Sequence, residues 1–515
     1  MISKKNVETT YSIRRLPIKI LITHRLFLIT KNFKNMIKIV INGTVADLKG
    51  ASKQELVFQN PMWDYEAMLG EYGLPFSLPF SPTNDRIFGN ARSEFSEAMP
   101  LSYLCEQYLN DDLFAEGLII LKDTNGAYNC NFTSNLRDIF TPVSGSVRYD
   151  GYVRDILPAG PSVSPVANRN AMTTWNNIVC YPSIFNDQFY AANAPVGWDS
   201  YMNSYNGTTY QNTTFVPAVS VKYILAQIAT YYGITISGTF VADANMDTLV
   251  IMHNAAEDGA TTANLKLAVG DLTVAAFINE LRNTFGLTGE VDLLSKSIKL
   301  DFCQAIFNAE VSANWSPFCS EIISKNASPY LGVELDYSAD TDDKNYTDAT
   351  IYTKYTTTLP IISQNVAKNR LIKTALSPLA LTGTGFPSKI TQNGKTTTNG
   401  QATKPAKPRI GFYRGLIVVS SINMPTIGPA TTGAVYQLRT DISAIGKRNQ
   451  VLFSNEEIFW QNTFEASFRI NMRKINLSSF DIKSKVHIHG WNYLIKRIVM
   501  DCNNPENSLL EAYRA

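Results

Sequence analysis

The chain has 515 residues, 45% apolar and 17% charged, with 6 cysteines and a formal net charge of +2. That length carries several cores without a disulfide framework, and the cysteines form no CxxC pair of zinc spacing. Residues 1–35 hold eight Lys or Arg against one acid, leaving 38 basic and 43 acidic residues over 36–515, a balance of −5 that argues against a broad basic face for nucleic acid. A surface so poor in charge and rich in Tyr, Phe, Asn and Thr suits a subunit buried against neighbours, or equally a free-standing β-rich secreted protein.

In chain order, the basic extension 1–35 comes first. Its apolar runs Ile18–Ile22 and Leu26–Ile29 fall well short of the ~20 residues that span a bilayer. It reads as an upstream addition, disordered or loosely helical, with Met36 as the natural start; a basic membrane-surface anchor is the other reading. From Met36 the text MIKIVINGTV predicts a strand and a turn, opening a β-rich unit over 36–150.

Within that unit, GLPFSLPFSPTNDRIFGN (73–90) carries three prolines in eight residues, which cannot lie inside a helix. Ser81 can cap a short helix with Pro82 at its first position, Asn84 and Asp85 in its first turn, Ile87 and Phe88 facing inward and Gly89 ending it. The Leu78-Pro79-Phe80 before it is then a stiff extended arm for a sheet edge or a neighbouring subunit. Further on, GLIILKDTNGAYNCNFTSN (117–135) predicts a hairpin, its Asn-Gly supplying the turn and Tyr128, Cys130 and Phe132 alternating with polar residues.

Residues 151–215 are rich in Pro, Asn, Tyr and Gly and read as a long ordered excursion lying against a partner surface. A repeat follows in 216–320: YILAQIATYYG and AFINELRNTFG superpose at an offset of 53 residues, matching Ile224 with Phe277, Ile228 with Leu281 and Tyr232 with Phe285. Each copy predicts an apolar helical stripe stopped by a left-handed glycine, Gly233 or Gly286. Thr273 or Asp271 would cap the second helix, and two strands follow around Leu294-Ser295-Lys296. An accidental likeness of two amphipathic helices is the alternative to a tandem αβ repeat.

Residues 321–408 read as a loop-rich connector. It holds an acidic run, Asp340, Asp342, Asp343, Asn345 and Asp348, expected as a solvated loop because the glycine and closing glutamate of a calcium loop are missing. Composition makes 381–408 a flexible segment. A second β-rich unit occupies 409–515, with short strands around His489-Gly490 carrying Val486, Ile488, Tyr493, Ile495 and Ile498, and a last strand near Leu509–Tyr513.

Reactive groups are sparse. His487 and His489 share one strand face but lack a third ligand, His253 ends an apolar strand, and no nucleophile elbow or nucleotide-binding glycine loop occurs. No catalytic, cofactor or metal residue is therefore assigned. The cysteines Cys105, Cys130, Cys180, Cys303, Cys319 and Cys502 read as reduced, mostly buried small hydrophobes.

The proline-rich stretch resembles a Leu-Pro-x-[Ser/Thr]-x-x-Asn-x-x-Ile-Phe element of structural proteins from tailed phages and prophages of Bacteroidetes, matched at Leu78, Pro79, Ser81, Asn84, Ile87 and Phe88. IVCYPSIFNDQFYAAN with NTTFVPAVSVKYILAQI, KPRIGFYRGL and LSSFDIKSKVHIHGWNYLIKRI resemble the same family in the same order. The doubled Leu-Pro-Phe and the length of the 381–408 segment depart from it. The resemblance implies an α+β, mainly β, multi-domain fold with barrel-like β modules at both ends and small helix-plus-sheet modules between, similar to tail-hub proteins. It implies a non-enzymatic virion protein, assembled in the bacterial host cytoplasm, that closes the distal end of a tail tube as a trimer or other ring. Its partners would be itself and the tail-tube, tape-measure and other baseplate proteins, with no sequence-specific nucleic acid and no stable membrane anchor. The assembly residues would be Leu78, Pro79, Phe80, Asn84, Ile87 and Phe88. The alternatives are a receptor- or glycan-binding adhesin with platforms such as Trp175, Tyr190, Trp198 and Tyr201, and a carboxylate-based cell-wall hydrolase.

Overall fold

A computed structural model describes residues 37–48, 55–64, 72–73, 75–95, 102–109, 111–133, 151–164, 166–190, 194–211, 214–253, 255–257, 260–292, 295–348, 353–357, 368–382, 386–391, 407–419, 421–431, 433, 435–440, 451–475, 480–501 and 504–515. The extension 1–35, Met36 and Cys502 lie outside them. The fold is α+β and mainly β.

Strands from both ends of the chain form one 14-stranded sheet. The N-terminal half runs from Thr44–Val45 through Ile37–Ile41, Ser102–Leu109, Asp112–Asp123 and Tyr128–Thr133 to Tyr72–Gly73 and Glu55–Gln59. Glu55–Gln59 then pairs antiparallel with Trp491–Asp501, and the order continues through Ser508–Arg514 and Phe464–Ile470 to Ser324–Ala327. The two ends, expected as separate modules, also share one apolar core: Ile39, Phe58, Leu78, Phe88 and Ile119 pack with Phe468, Ile488, Ile495, Met500 and Leu510.

The tight turns follow their residues. Asn42-Gly43 and His489-Gly490 both take positive φ, the conformation a two-residue hairpin needs. The Asp112–Asp123 and Tyr128–Thr133 hairpin turns at Thr124-Asn125-Gly126 and buries Tyr128, Cys130 and Phe132, as the alternation predicts.

Between the ends lies a second core built on the repeat. Helices Val221–Tyr232 and Val274–Phe285 are capped by Ser220 and Thr273, whose hydroxyls accept from the amides of Tyr223 and Ala276, and both stop at left-handed glycines, Gly233 and Gly286. The strand after the first helix, Thr235–Ser237, pairs parallel with Ser297–Phe302, which pairs antiparallel with Leu287–Asp292 after the second. The two units therefore share one three-stranded sheet.

The excursion packs on this core: Val153, Leu157, Tyr181 and Phe215 join Ile224, Ile228 and Phe277. The connector is less loop-like than its composition, because Tyr330–Tyr337 and Lys368–Thr374 form a parallel pair. Within the expected flexible segment, residues 386–391 are buried, and Pro387–Ser388 pairs with Phe185 of the excursion. Phe386 and Ile390 supply the apolar contacts that the surrounding Gly and Thr conceal. Residues 383–385 and 392–406 lie outside the described residues.

The unit expected at 409–515 is divided between sheets. Arg409–Val419 pairs with Leu249–Met252 and with Ile422–Gly428 in the central five-stranded sheet, and only the chain from Phe464 onward joins the 14-stranded sheet. Among the described residues no helix is long and apolar enough to cross a membrane.

Candidate functional site

The proline-rich segment folds against its own chain. Phe76–Leu78 adds to the strand Tyr128–Thr133, and Pro82–Ile87 is a helix whose Asn84 amide donates to the Ser81 hydroxyl. Asn84 is fully buried: its side-chain amide donates to the carbonyls of Pro79 and Asp47, both at 2.9 Å, while its oxygen accepts from the Asp47 amide. Tyr128 donates to Asp85, and its ring meets Phe80 and Phe88. Leu78, Asn84 and Phe88 are thus inside the fold, with Pro79, Phe80 and Ile87 half-buried. Asn84→Ala removes three hydrogen bonds to the backbone of Pro79 and Asp47 and is expected to cost about 3 kcal/mol; a denaturant midpoint equal to wild type would refute this.

The seam between the sheet and the central core is held by two buried arginines. The turn Pro61–Trp63 leaves the strand Glu55–Gln59 and inserts between them. Arg282, from the second repeat helix, donates to the carbonyls of Pro61 and Asp64 at 3.0 and 2.8 Å. Arg370 donates to the Met62 carbonyl at 3.2 Å and pairs with Glu456 at 2.7 Å. Trp63 donates to the Ile495 carbonyl and stacks on Phe459, with Trp460 and Tyr513 edge-on. One short turn therefore ties together the N-terminal strands, the C-terminal strands and the helical layer.

A second buried cluster corrects the reading of the acidic run. Asp340 and Asp343 are not solvated; both accept from one terminal nitrogen of the fully buried Arg409, at 2.7 and 2.8 Å. Asp343 also accepts from the amides of Asn345 and Ile390, and Arg409 donates to the Ser377 hydroxyl. Run composition cannot show this, because the partner lies 66 residues away.

Lys389 is buried beside the cluster and donates to the Lys407 carbonyl at 2.6 Å. Burial, with Arg409 adding repulsion, pushes its ammonium down to about 7 against an opposing pull from Asp340 and Asp343. Between about pH 7 and the ordinary lysine value near 10.5 the unfolded chain holds the extra proton, so stability rises with pH across that window. Relative to Lys389→Met, the wild type should gain on the order of 3 kcal/mol from pH 7 to pH 9.5. Unfolding curves that stay parallel across that range would disprove the assignment.

The remaining candidates separate in space. His487 accepts or donates at Asn492, and His489 faces the carbonyls of Cys319 and Ser320. Among the described residues no group of three His, Cys, Asp or Glu could hold a metal ion. His253 is mostly buried against Gly270, and desolvation lowers its pKa to about 4. Cys105, Cys130, Cys180 and Cys303 are buried and Cys319 half-buried, all outside disulfides, and desolvation raises the thiols of Cys105, Cys130, Cys180 and Cys319. Of the aromatic platform candidates, Trp175 leans on Tyr413, Tyr190 meets Trp198 edge-on, and Tyr201 packs on Phe185 and Phe386. The sequence reading missed Trp63, Arg282, Arg370 and Arg409, whose bonds to Ile495, Pro61, Met62 and Asp343 are all distant in the chain.

No protein-family model and no curated protein sequence matches the chain. Among solved structures it is similar to a 43 kDa tail protein of prophage MuSo2 from Shewanella oneidensis, at 7% identity and a TM-score of 0.36, covering 93% of this chain and 96% of that one. It is also similar to a tail protein from Neisseria meningitidis MC58, at 8% identity and a TM-score of 0.35, covering 94% and 96%. A third is prophage tail protein gp18 from Listeria monocytogenes EGD-e, at 7% identity and a TM-score of 0.36, covering 93% and 94%.

Proposed function

We propose that the chain is a structural subunit of a phage tail, a hub or baseplate component that closes the distal end of the tail tube as a ring of identical copies. The observation that carries this reading is the single sheet joining both ends of the chain, with open edges among the described residues at Thr44–Val45 and at Ser324–Ala327. An unprotected edge is a template for another strand. At the second edge Lys325, Asn326 and Ala327 are exposed, and Ile322 and Ile323 before them are 41% and 53% exposed. A head-to-tail contact between unlike edges closes into a ring when the rotation permits. The ordered family-like stretches support the same reading, and tube, tape-measure and other baseplate proteins would be its further partners in the virion.

The edge geometry supplies the test. The Ser467 carbonyl faces the edge strand, and Ser324 and Asn326 pair with Ser467 and Glu465, so their amides point inward and the Lys325 amide points outward. Lys325→Pro removes an outward donor and leaves the internal ladder intact. Native mass spectrometry of the wild type should show a closed oligomer, and Lys325→Pro should give a monomer with unchanged melting. A wild type that stays monomeric even with tube and tape-measure proteins present refutes the ring, and a variant that assembles normally removes this edge from it.

A further inference from the structure

Across the outward face of the 14-stranded sheet, beside the seam, runs a cavity of about 310 Å³ whose floor is laid by four neighbouring strands. Glu465, Tyr513, Lys496 with Arg497, and Gln59 come from successive strands, so the floor spans three inter-strand spacings, about 14 Å. The register explains how two consecutive residues of one strand both reach it. Ile495 pairs with Ala512 and faces the core, whereas Arg497 pairs with Glu511, so Lys496 is the extra residue of a bulge and joins Arg497 on the outer face.

Aromatic rings form the wall. Trp63 is fixed by Phe459, Trp460 and Tyr513, and half-buried Tyr330 stands edge-on to Trp460 at 5.1 Å. The charges on the floor satisfy each other: Lys496 pairs with Glu465 and Glu511, and Arg497 grips Glu511 with two nitrogens. Among the described residues the Gln59 side-chain amide and the hydroxyls of Tyr330 and Tyr513 make no hydrogen bond, although all three line the cavity. The groove therefore offers the half-buried rings of Trp63 and Tyr330, three vacant neutral hydrogen-bonding groups and no net charge.

We propose that this groove binds a short neutral oligosaccharide. A pyranose ring presents an apolar C–H face to an aromatic wall and hydroxyls at its rim to amides, phenols and paired charges, which is the complement of these residues. An anionic ligand would have to break the Arg497–Glu511 fork, and a purely apolar one would leave the free donors and acceptors unpaired. The cavity lies at the lower end of the range for small-molecule sites, about 300 to 1,000 Å³, in keeping with a few sugar units lying across the strands. The site does not depend on ring assembly, since every group belongs to one chain.

Saturation-transfer NMR on the full chain, with chitotriose, cellotriose and maltotriose as separate probes, tests the proposal. At least one sugar should give saturable transfer to its ring C–H protons. Tyr330→Phe and Gln59→Ala should each weaken it by about tenfold without moving the melting curve, while Tyr231→Ala, an exposed tyrosine on the central helix, should leave it unchanged. Absence of saturable transfer from all three sugars overturns the proposal, as does binding that survives both groove substitutions. Because monomers suffice for this measurement, its failure is separable from failure of the ring.

Discussion

Arg409→Leu is expected to lower stability by about 4 kcal/mol, because it strips the common partner from two buried carboxylates. Asp340 is 2% exposed and Asp343 fully buried, so both carboxylates stand away from bulk solvent when the guanidinium is lost. Three separate segments would lose their tie at once: the loop from Ser338, the buried run 386–391 through the Asp343–Ile390 bond, and the start of the strand Arg409–Val419. For a unit of 150–250 residues such a loss lowers the melting point by roughly 10 °C. Adding Asp340→Asn and Asp343→Asn should recover part of it, since an amide oxygen at 343 still accepts from the Asn345 and Ile390 amides while the unpaired charges are gone. A single variant as stable as wild type, or a triple variant weaker than the single, would contradict a charge-based role for Arg409.

What could be read from the sequence was local. The Asn42-Gly43, Asn125-Gly126 and His489-Gly490 turns and the two helices ended by Gly233 and Gly286 each depend on residues within a few positions of one another. The proline-rich segment was legible for the same reason: Ser81, Pro82 and Asn84 specify their helix through a cap, a fixed φ and a side-chain bond back to the Pro79 carbonyl. Illegible features rest on long-range pairing. Nothing near Leu56 or Phe58 marks Met500 and Ile498 as their partners, so the pairing that joins the two end strand sets into one sheet leaves no local signal. The acidic run failed differently: its composition describes a solvated loop, and only the fully buried Arg409 inverts that meaning. The saccharide groove was beyond reach because its floor depends on a bulge, and a one-residue register shift leaves no trace in composition.

Glu456→Leu should be more damaging than its distance from any sheet edge suggests, costing about 3–5 kcal/mol. Its carboxylate accepts from Arg370 at 2.7 Å and from the Trp460 indole at 3.1 Å, and both groups are buried. Arg370 also holds the Met62 carbonyl, so an uncompensated guanidinium there loosens the turn that joins the sheet to the helical layer. Arg370→Leu with Glu456→Leu removes both charges together and should be milder than Glu456→Leu alone, leaving the loss of one donor to Met62 and of the acceptor for the Trp460 indole. Hydrogen exchange separates this from a general loss of stability. Amides of Glu55–Gln59 and Trp491–Asp501 should lose protection earlier than those of the hairpin Asp112–Asp123 with Tyr128–Thr133, because only the former meet at the seam. Uniform loss of protection over the whole sheet would mean that Glu456 stabilises the molecule without specifically holding its two ends together. A selective loss would make this ion pair the point at which the two strand sets are kept in register, and therefore the point on which any ring built from their edges depends.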